Sequence, residues 1–167
     1  VHPSGKEVGE TLLNLRKPHE LMIPYTQTMF ASLLFQPRQA RVLIVGAGGG
    51  AMVHFLKHHL PDTKVDAVEI DPIVVKFADE YFQTRTEGNV RVITDDGVKF
   101  IQQITDPYDV IYMDAFLKPS TETDDTGRPL ALKTIEFYKN LQQKLADDGV
   151  VVFNINLHAD VQADIAT

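Results

Sequence analysis

The chain has 167 residues, a formal net charge of -7, 44% apolar and 23% charged residues, and no cysteine. That length suits one domain with a true core, roughly 70% of the unfolded surface being buried on folding, and the lack of cysteine excludes disulfides, thiolate metal sites and a cysteine nucleophile. The acidic balance disfavours nucleic acid and anionic membranes, which would repel it; runs such as Val42 to Val45 are far too short to span a bilayer, and with no secretory leader pattern the expected location is cytoplasmic.

The chain starts at Val1 without a methionine and stops abruptly at Thr167, so the expectation is a chain truncated at both ends. Leu21 to Leu34 has a helical pattern, and Pro37 separates it from the first strand. From residue 41 an alternation begins. Arg41–Val45 is a short β-branched run, a buried strand by type. A glycine cluster comes next, then a helix from Ala51 to Leu60 with Met52, Phe55 and Leu56 at helical spacing, stopped by Pro61-Asp62. Val65–Ile70 reads as the second strand. Asp71-Pro72 opens the next helix, with a cap residue before a first-turn proline. Asn89–Thr94 is a third strand, Gly97 to Ile104 a third helix and Tyr108–Met113 a fourth strand. Leu130 to Leu145 carries a long helical pattern, which Asp147-Asp148-Gly149 turns into a fifth strand, Val150–Asn154. Strands alternating with helices predict an α/β, doubly wound, mostly parallel Rossmann-like sheet. The expected organisation is an N-terminal segment, 1–38, whose helix packs on the core, and one domain over 39–167.

Gly46-Ala47-Gly48-Gly49-Gly50-Ala51 fits G-x-G-x-x-G/A, and it sits after a strand and before a helix, where the pattern has meaning. Glycine lets the chain turn sharply and lets a ligand approach the backbone, while the helix N-terminus behind offers unpaired N–H groups. Glu69 closes the second strand about 20 residues on, where a carboxylate accepts hydrogen bonds from ribose hydroxyls. Asp71 reads mainly as a helix cap. These two features suit a nicotinamide dehydrogenase as well as other nucleoside binders. Asp95-Asp96-Gly97 after the third strand shifts the balance, because a carboxylate there can accept from an adenine amino group; its alternative role is again capping.

Residues 39–156 resemble the spermidine synthase-like, or polyamine aminopropyltransferase, group within the class I S-adenosylmethionine-dependent methyltransferase fold. The matching stretches are Arg41–Gly50, Val68-Glu69-Ile70-Asp71, Asp95 to Phe100, Tyr108–Asp114, and Phe137-Tyr138 to Gly149. By this resemblance the co-substrate is S-adenosylmethionine or its decarboxylated form. Glu69 would hold its ribose and Asp96 its adenine. Gly46, Ala47, Gly48 and Gly49 would flank the sulfonium end, and Ile70, Asp71 and Gly97 complete the set. Asp114, ending the fourth strand, would contact the attacking amine and help take its proton. Tyr25 and Gln27 lie near where the family has substrate-facing residues. Family members are often dimers, so the resemblance also implies a homodimer acting on a small amine.

The chain departs from the family's pattern at two places. Gly49 stands where polyamine synthases have an aspartate in the glycine loop, and Ala115, Phe116, Leu117 and Lys118 come after Asp114 where they have a second one. Lost carboxylates weaken a diamine site, since a buried ammonium needs a partner. Methyl transfer to an unknown acceptor, and a non-catalytic nucleoside-binding domain, are the alternatives. His54 and His58 are four apart on a helix, but on a face that reads as solvated and with no third ligand, so no metal is expected. The polar stretch 118–130 lies close behind Asp114 and is placed to close over substrate as a lid, or to be a surface loop.

Overall fold

The computed structural model describes residues 11–117, 120–124 and 126–155. Its centre is a five-stranded parallel sheet, β1 (Arg41–Val45), β2 (Lys64–Glu69), β3 (Val90–Thr94), β4 (Tyr108–Met113) and β5 (Leu145–Phe153), in the order β3-β2-β1-β4-β5. The strand order reverses beside β1. In such sheets the crevice at that reversal, outside the carboxyl ends of the strands, is where ligands bind.

The continuous apolar run of β1 has a simple cause: side chains alternate across a strand, and both faces of this sheet are covered. Val42 and Ile44 join one core with Met52, Val53 and Leu56 of α2 (Ala51–His59) and with Met29 and Phe30. Leu43 and Val45 join the other, with Ile101 of α4 (Gly97–Gln103) and Phe137 and Leu141 of α5 (Ile135–Gln142). Each such side chain, removed from water, stabilises the fold by about 1.5–3 kcal/mol. α3 (Pro72–Phe82) buries only Ala78, and its Ile73, Phe77 and Tyr81 remain exposed.

Three elements differ from the pattern-based expectation. The helix expected over Leu21 to Leu34 is α1 (Pro24–Met29), which then tightens into a 3-10 turn, Phe30–Leu34. The helix expected over Leu130 to Leu145 is broken at Thr134. A 3-10 turn, Leu130–Lys133, precedes it, and the Thr134 hydroxyl accepts from Phe137 N at 3.1 Å to start α5 anew. Leu145 belongs to β5, and Asp147-Asp148-Gly149 is an irregularity inside that strand rather than a turn before it: Tyr108 pairs with Leu145, but Val110 already pairs with Val150.

Asp66, in the middle of β2, is a buried charged residue. It accepts two bonds from Arg91, at 2.6 and 2.7 Å, and one from Tyr108 Oη at 2.5 Å. Burial alone would raise its pKa, but the hydrogen bonds from Arg91 and Tyr108 and the charges of Arg91 and Arg41 outweigh that and hold the carboxyl below its ordinary value. The folded pKa is depressed, so this contribution is present at neutral pH and lost as pH falls through the carboxylate range. Asp66→Ala leaves the buried Tyr108 hydroxyl and the Arg91 fork without their acceptor. Denaturant unfolding at pH 7 should show a loss of about 2–4 kcal/mol. Arg91 is half exposed and can recover water, which keeps the figure below that of a fully buried pair.

Candidate active site

β1 runs directly into the glycine cluster, where Gly46, Gly48 and Gly50 all take positive φ (92°, 51° and 84°). At Gly46 the reason is crowding as well as conformation. A Cβ there would lie 2.6 Å from the carbonyl carbon of Asp114 and 3.0 Å from Ala115 Cα, because β1 and β4 are neighbours whose ends nearly touch.

Every amide of this loop already has a partner inside the protein. Gly46 N and Ala47 N donate to Val68 O at 2.9 and 3.1 Å, and Gly50 N donates to Ala47 O at 2.9 Å. Gly48 N donates to Glu69 Oε2 at 3.0 Å, and Gly49 N to Thr11 Oγ1 at 2.9 Å. Glu69 therefore spans two loops, since its Oε1 also accepts from Asp71 N at 3.1 Å. Asp71 is the N-cap of α3, its Oδ1 accepting from Ile73 N at 2.8 Å. Ile70, beside it, is exposed at the mouth of the crevice.

Asp96 plays the same capping role for α4. Its Oδ1 accepts from Val98 N at 2.8 Å and Lys99 N at 3.3 Å, and Oδ2 carries no hydrogen bond among the described residues. Gly97 lies against Val45, the last residue of β1, so the Asp96 turn sits close to the glycine loop. The carboxyl edge thus carries Glu69, Asp71 and Asp96 side by side after β2 and β3.

Asp114 directly succeeds β4 on the other side of the strand-order reversal. Its N donates to Val45 O at 2.8 Å, its Oδ2 accepts from Tyr25 Oη at 3.0 Å and its Oδ1 from Asn154 Nδ2 at 2.7 Å. Burial pushes its pKa up to about 6; the bonds from Asn154 and Tyr25 pull the other way, and the nearby charge of Glu69 adds to the rise. A half-buried carboxylate whose pKa lies close to neutral can both hold an amine and accept its proton.

Of the two residues expected from the N-terminal segment, Tyr25 meets Asp114 and Gln27 does not. Gln27 donates to Leu21 O at 2.6 Å and borders a separate surface pocket with His19, Phe55 and His59. Two positions along a helix rotate a side chain by about 200°, which separates them.

His54 does not lie on a solvated face. It is 8% exposed, and its Nε2 lies 2.8 Å from Phe82 O and 3.0 Å from Thr84 Oγ1. His58 instead stacks on His19, ring centroids 3.7 Å apart. Among the described residues no group of three His, Asp or Glu is arranged to hold a metal ion, and no helix is long and apolar enough to cross a membrane.

The stretch beyond Asp114 is built around Asp124, whose Oδ1 accepts from Thr126 N, Thr126 Oγ1 and Arg128 N. Burial alone would raise its pKa. Those bonds, with one from Lys133, instead bring it down to about 2. Lys118, Pro119 and Asp125 of the expected lid lie outside the described residues.

No motif in the sequence places Thr11, His54, Thr84 or Asn154 at the site. Asn154 is the one that strand topology can place. Parallel neighbours end together, so a residue just after β5 must lie beside one just after β4, and Asn154 N indeed donates to Met113 O at 2.9 Å. Thr11 and Thr84 carry no such signal, since each comes from a loop tens of residues away in sequence.

The sheet order, the glycine loop and the acidic strand ends define a domain of the class I methyltransferase fold. The chain belongs to the spermine/spermidine synthase family, whose domain model matches residues 23–165. It is 36% identical over 137 residues to a polyamine aminopropyltransferase of Vibrio vulnificus, covering 80% of this chain and 44% of that protein. The chain spans about half the length of the curated relatives it matches. Among solved structures, human methyltransferase-like protein 13 in complex with SAH superposes with a TM-score of 0.76 at 25% identity, over 86% of this chain and 71% of that one. A probable spermidine synthase from Corynebacterium glutamicum shares the fold, with a TM-score of 0.76 at 23% identity over 93% and 56% of the two chains.

Proposed function

We propose that this chain binds decarboxylated S-adenosylmethionine at the carboxyl edge of the sheet and transfers its aminopropyl group to a small amine. The relatives named as polyamine aminopropyltransferases favour this reaction over methyl transfer. The observation that carries the choice of nucleoside is the loop itself. All five amides from Gly46 to Gly50 are used within the protein, and the carboxylates of Glu69 and Asp114 stand beside them. A ligand end bearing a carboxylate finds no free loop amide there and meets two negative groups. A cationic aminopropyl end meets favourable charge.

In this reading Glu69 takes the ribose, the free oxygen of Asp96 takes the adenine amino group, and Ile70 covers the base. Asp71 acts through its side chain as the cap of α3, and Gly97 through its close approach to Val45. The nucleoside supplies a propyl carbon activated by positive sulfur. Asp114 orients the neutral amine and takes the proton released as the carbon–nitrogen bond forms and the carbon–sulfur bond breaks. Tyr25, from the 1–38 segment, and Asn154 hold the two oxygens of Asp114 in place. A homodimer and a cytoplasmic setting accompany the reading, and it requires no metal.

Glu69→Gln tests the ribose assignment. It keeps the shape but removes the charge, and should weaken decarboxylated S-adenosylmethionine by about tenfold to a hundredfold in calorimetry. Unchanged affinity in a folded variant would remove Glu69 from the ribose.

A further inference from the structure

The carbonyl side of the glycine loop is held as firmly as its amide side, and from a part of the chain with no assigned role. Thr84 is buried at 1% exposure. Its Oγ1 lies 2.8 Å from Gly49 O, and a carbonyl can only accept, so the single hydroxyl proton of Thr84 goes to Gly49. His54 Nε2 lies 3.0 Å from that same Oγ1 and 2.8 Å from Phe82 O. Phe82 O is also acceptor only and the Thr84 proton is already used, so Nε2 must carry hydrogen and donate to both. The chain of donation therefore runs one way, from His54 through Thr84 to Gly49.

The chain end of α3 fixes where Thr84 stands. Gln83 takes the left-handed conformation (φ 56°) that ends the helix, and Thr84 N closes back on Ala78 O at 2.9 Å. The other side of the same peptide group is fixed too, because Gly50 N donates to Ala47 O. With one end on Thr84 and the other on Ala47, the Gly49–Gly50 peptide cannot rotate without breaking a buried hydrogen bond. Gly50, at φ 84°, is the residue from which α2 starts, so the orientation of that peptide sets the mouth of the loop relative to the helix.

We propose that Thr84 and His54 are positioning residues for the glycine loop, His54 donating Nε2–H to Thr84 and Thr84 donating its hydroxyl to the Gly49 carbonyl, so that the loop is preformed for its ligand. Neither residue touches the place where the nucleoside would sit. Their effect passes through the peptide they hold. The inference rests on the reading of this loop as the nucleoside site, but its structural half is measurable without ligand.

The substitutions separate hydroxyl from packing. Thr84→Val keeps the volume and removes the hydroxyl, whereas Thr84→Ser keeps the hydroxyl and removes the methyl that fills the space beside Gly50. Amide hydrogen exchange of the ligand-free protein is the readout. In Thr84→Val the amides of Gly48, Gly49 and Gly50 should exchange about tenfold faster while those of β1 stay unchanged, and Thr84→Ser should behave as wild type. His54→Leu should accelerate the same amides. Should Thr84→Val prove unstable, Thr84→Ala set against Thr84→Ser gives the same contrast.

Wild-type exchange in Thr84→Val, or equal acceleration in Thr84→Val and Thr84→Ser, would overturn the positioning role. Wild-type exchange in His54→Leu would overturn the relay through His54. Adding decarboxylated S-adenosylmethionine then gives the functional half. Its affinity should fall about tenfold in Thr84→Val and recover in Thr84→Ser. If wild type binds no nucleoside, the functional reading of the site fails while the exchange result still decides the tether.

Discussion

Asp114→Asn should lower the rate of aminopropyl transfer by about a thousandfold, with nucleoside affinity changed only a few fold. The general-base contribution of a positioned side chain spans about 10²–10⁴, and the substituted amide accepts from only one of Tyr25 and Asn154, donates to the other once that group turns, and cannot accept a proton. The same substitution should stabilise the protein. The Asp114 carboxyl is raised to about 6 by burial, against 3.8 for the ordinary group. Between those two values the folded state binds more protons than the unfolded one, so stability falls as pH rises through the window. At pH 7 the wild type carries the full cost of a buried charge. The gap between the two values bounds that cost at about 3 kcal/mol, and the weaker bonds of the amide reduce the gain to about 1–2 kcal/mol. Melting should therefore rise by about 3–6 °C at pH 7, and the difference should close below about pH 4. Wild-type kcat/KM should show an acid limb near pH 6 that the variant lacks. A variant as active as wild type, or one less stable at pH 7 than at pH 4 relative to wild type, would remove Asp114 from the role of base.

Gly46→Ala carries the second large effect. The position combines a φ of 92° with backbone atoms of Asp114 and Ala115 on the side where a Cβ must go. The backbone cannot retreat cheaply, because Gly46 N is bonded to Val68 O and Asp114 N to Val45 O. The cost should be about 3–5 kcal/mol in denaturant unfolding, above the usual range for a single substitution, together with loss of nucleoside binding. Gly88→Ala is the matched control. That glycine also has positive φ (56°) but faces open space, so the cost should be about 1 kcal/mol with binding intact. Equal costs at the two positions would mean that conformation alone, not the approach of β4 to the loop, explains Gly46.

How much of the structure the sequence pattern reveals depends on how far apart the partners lie. The run Arg41–Val45 and the helix start at Asp71-Pro72 are local, and both stand where spacing and capping put them. The acidic strand ends Glu69, Asp96 and Asp114 are legible because parallel strands align their carboxyl ends. Asp147-Asp148-Gly149 misleads because Asp-Gly is turn chemistry, yet a strand can absorb the same residues as a bulge when its neighbour holds both sides. His54 misleads in another way. A histidine on a helix of mixed face reads as solvated, and only the return of the chain at Phe82 and Thr84 buries it. Those contacts join residues some 30 positions apart, which no periodicity reports.

The glycine loop should select a nucleoside with a cationic, carboxylate-free end. Calorimetric binding of decarboxylated S-adenosylmethionine, S-adenosylmethionine and NAD to the wild-type chain, side by side, tests it most directly. The decarboxylated form should bind at least about tenfold more tightly than S-adenosylmethionine, because the α-carboxylate finds no free loop amide and two negative neighbours. Equal or tighter binding of S-adenosylmethionine, or binding of NAD alone, would contradict it.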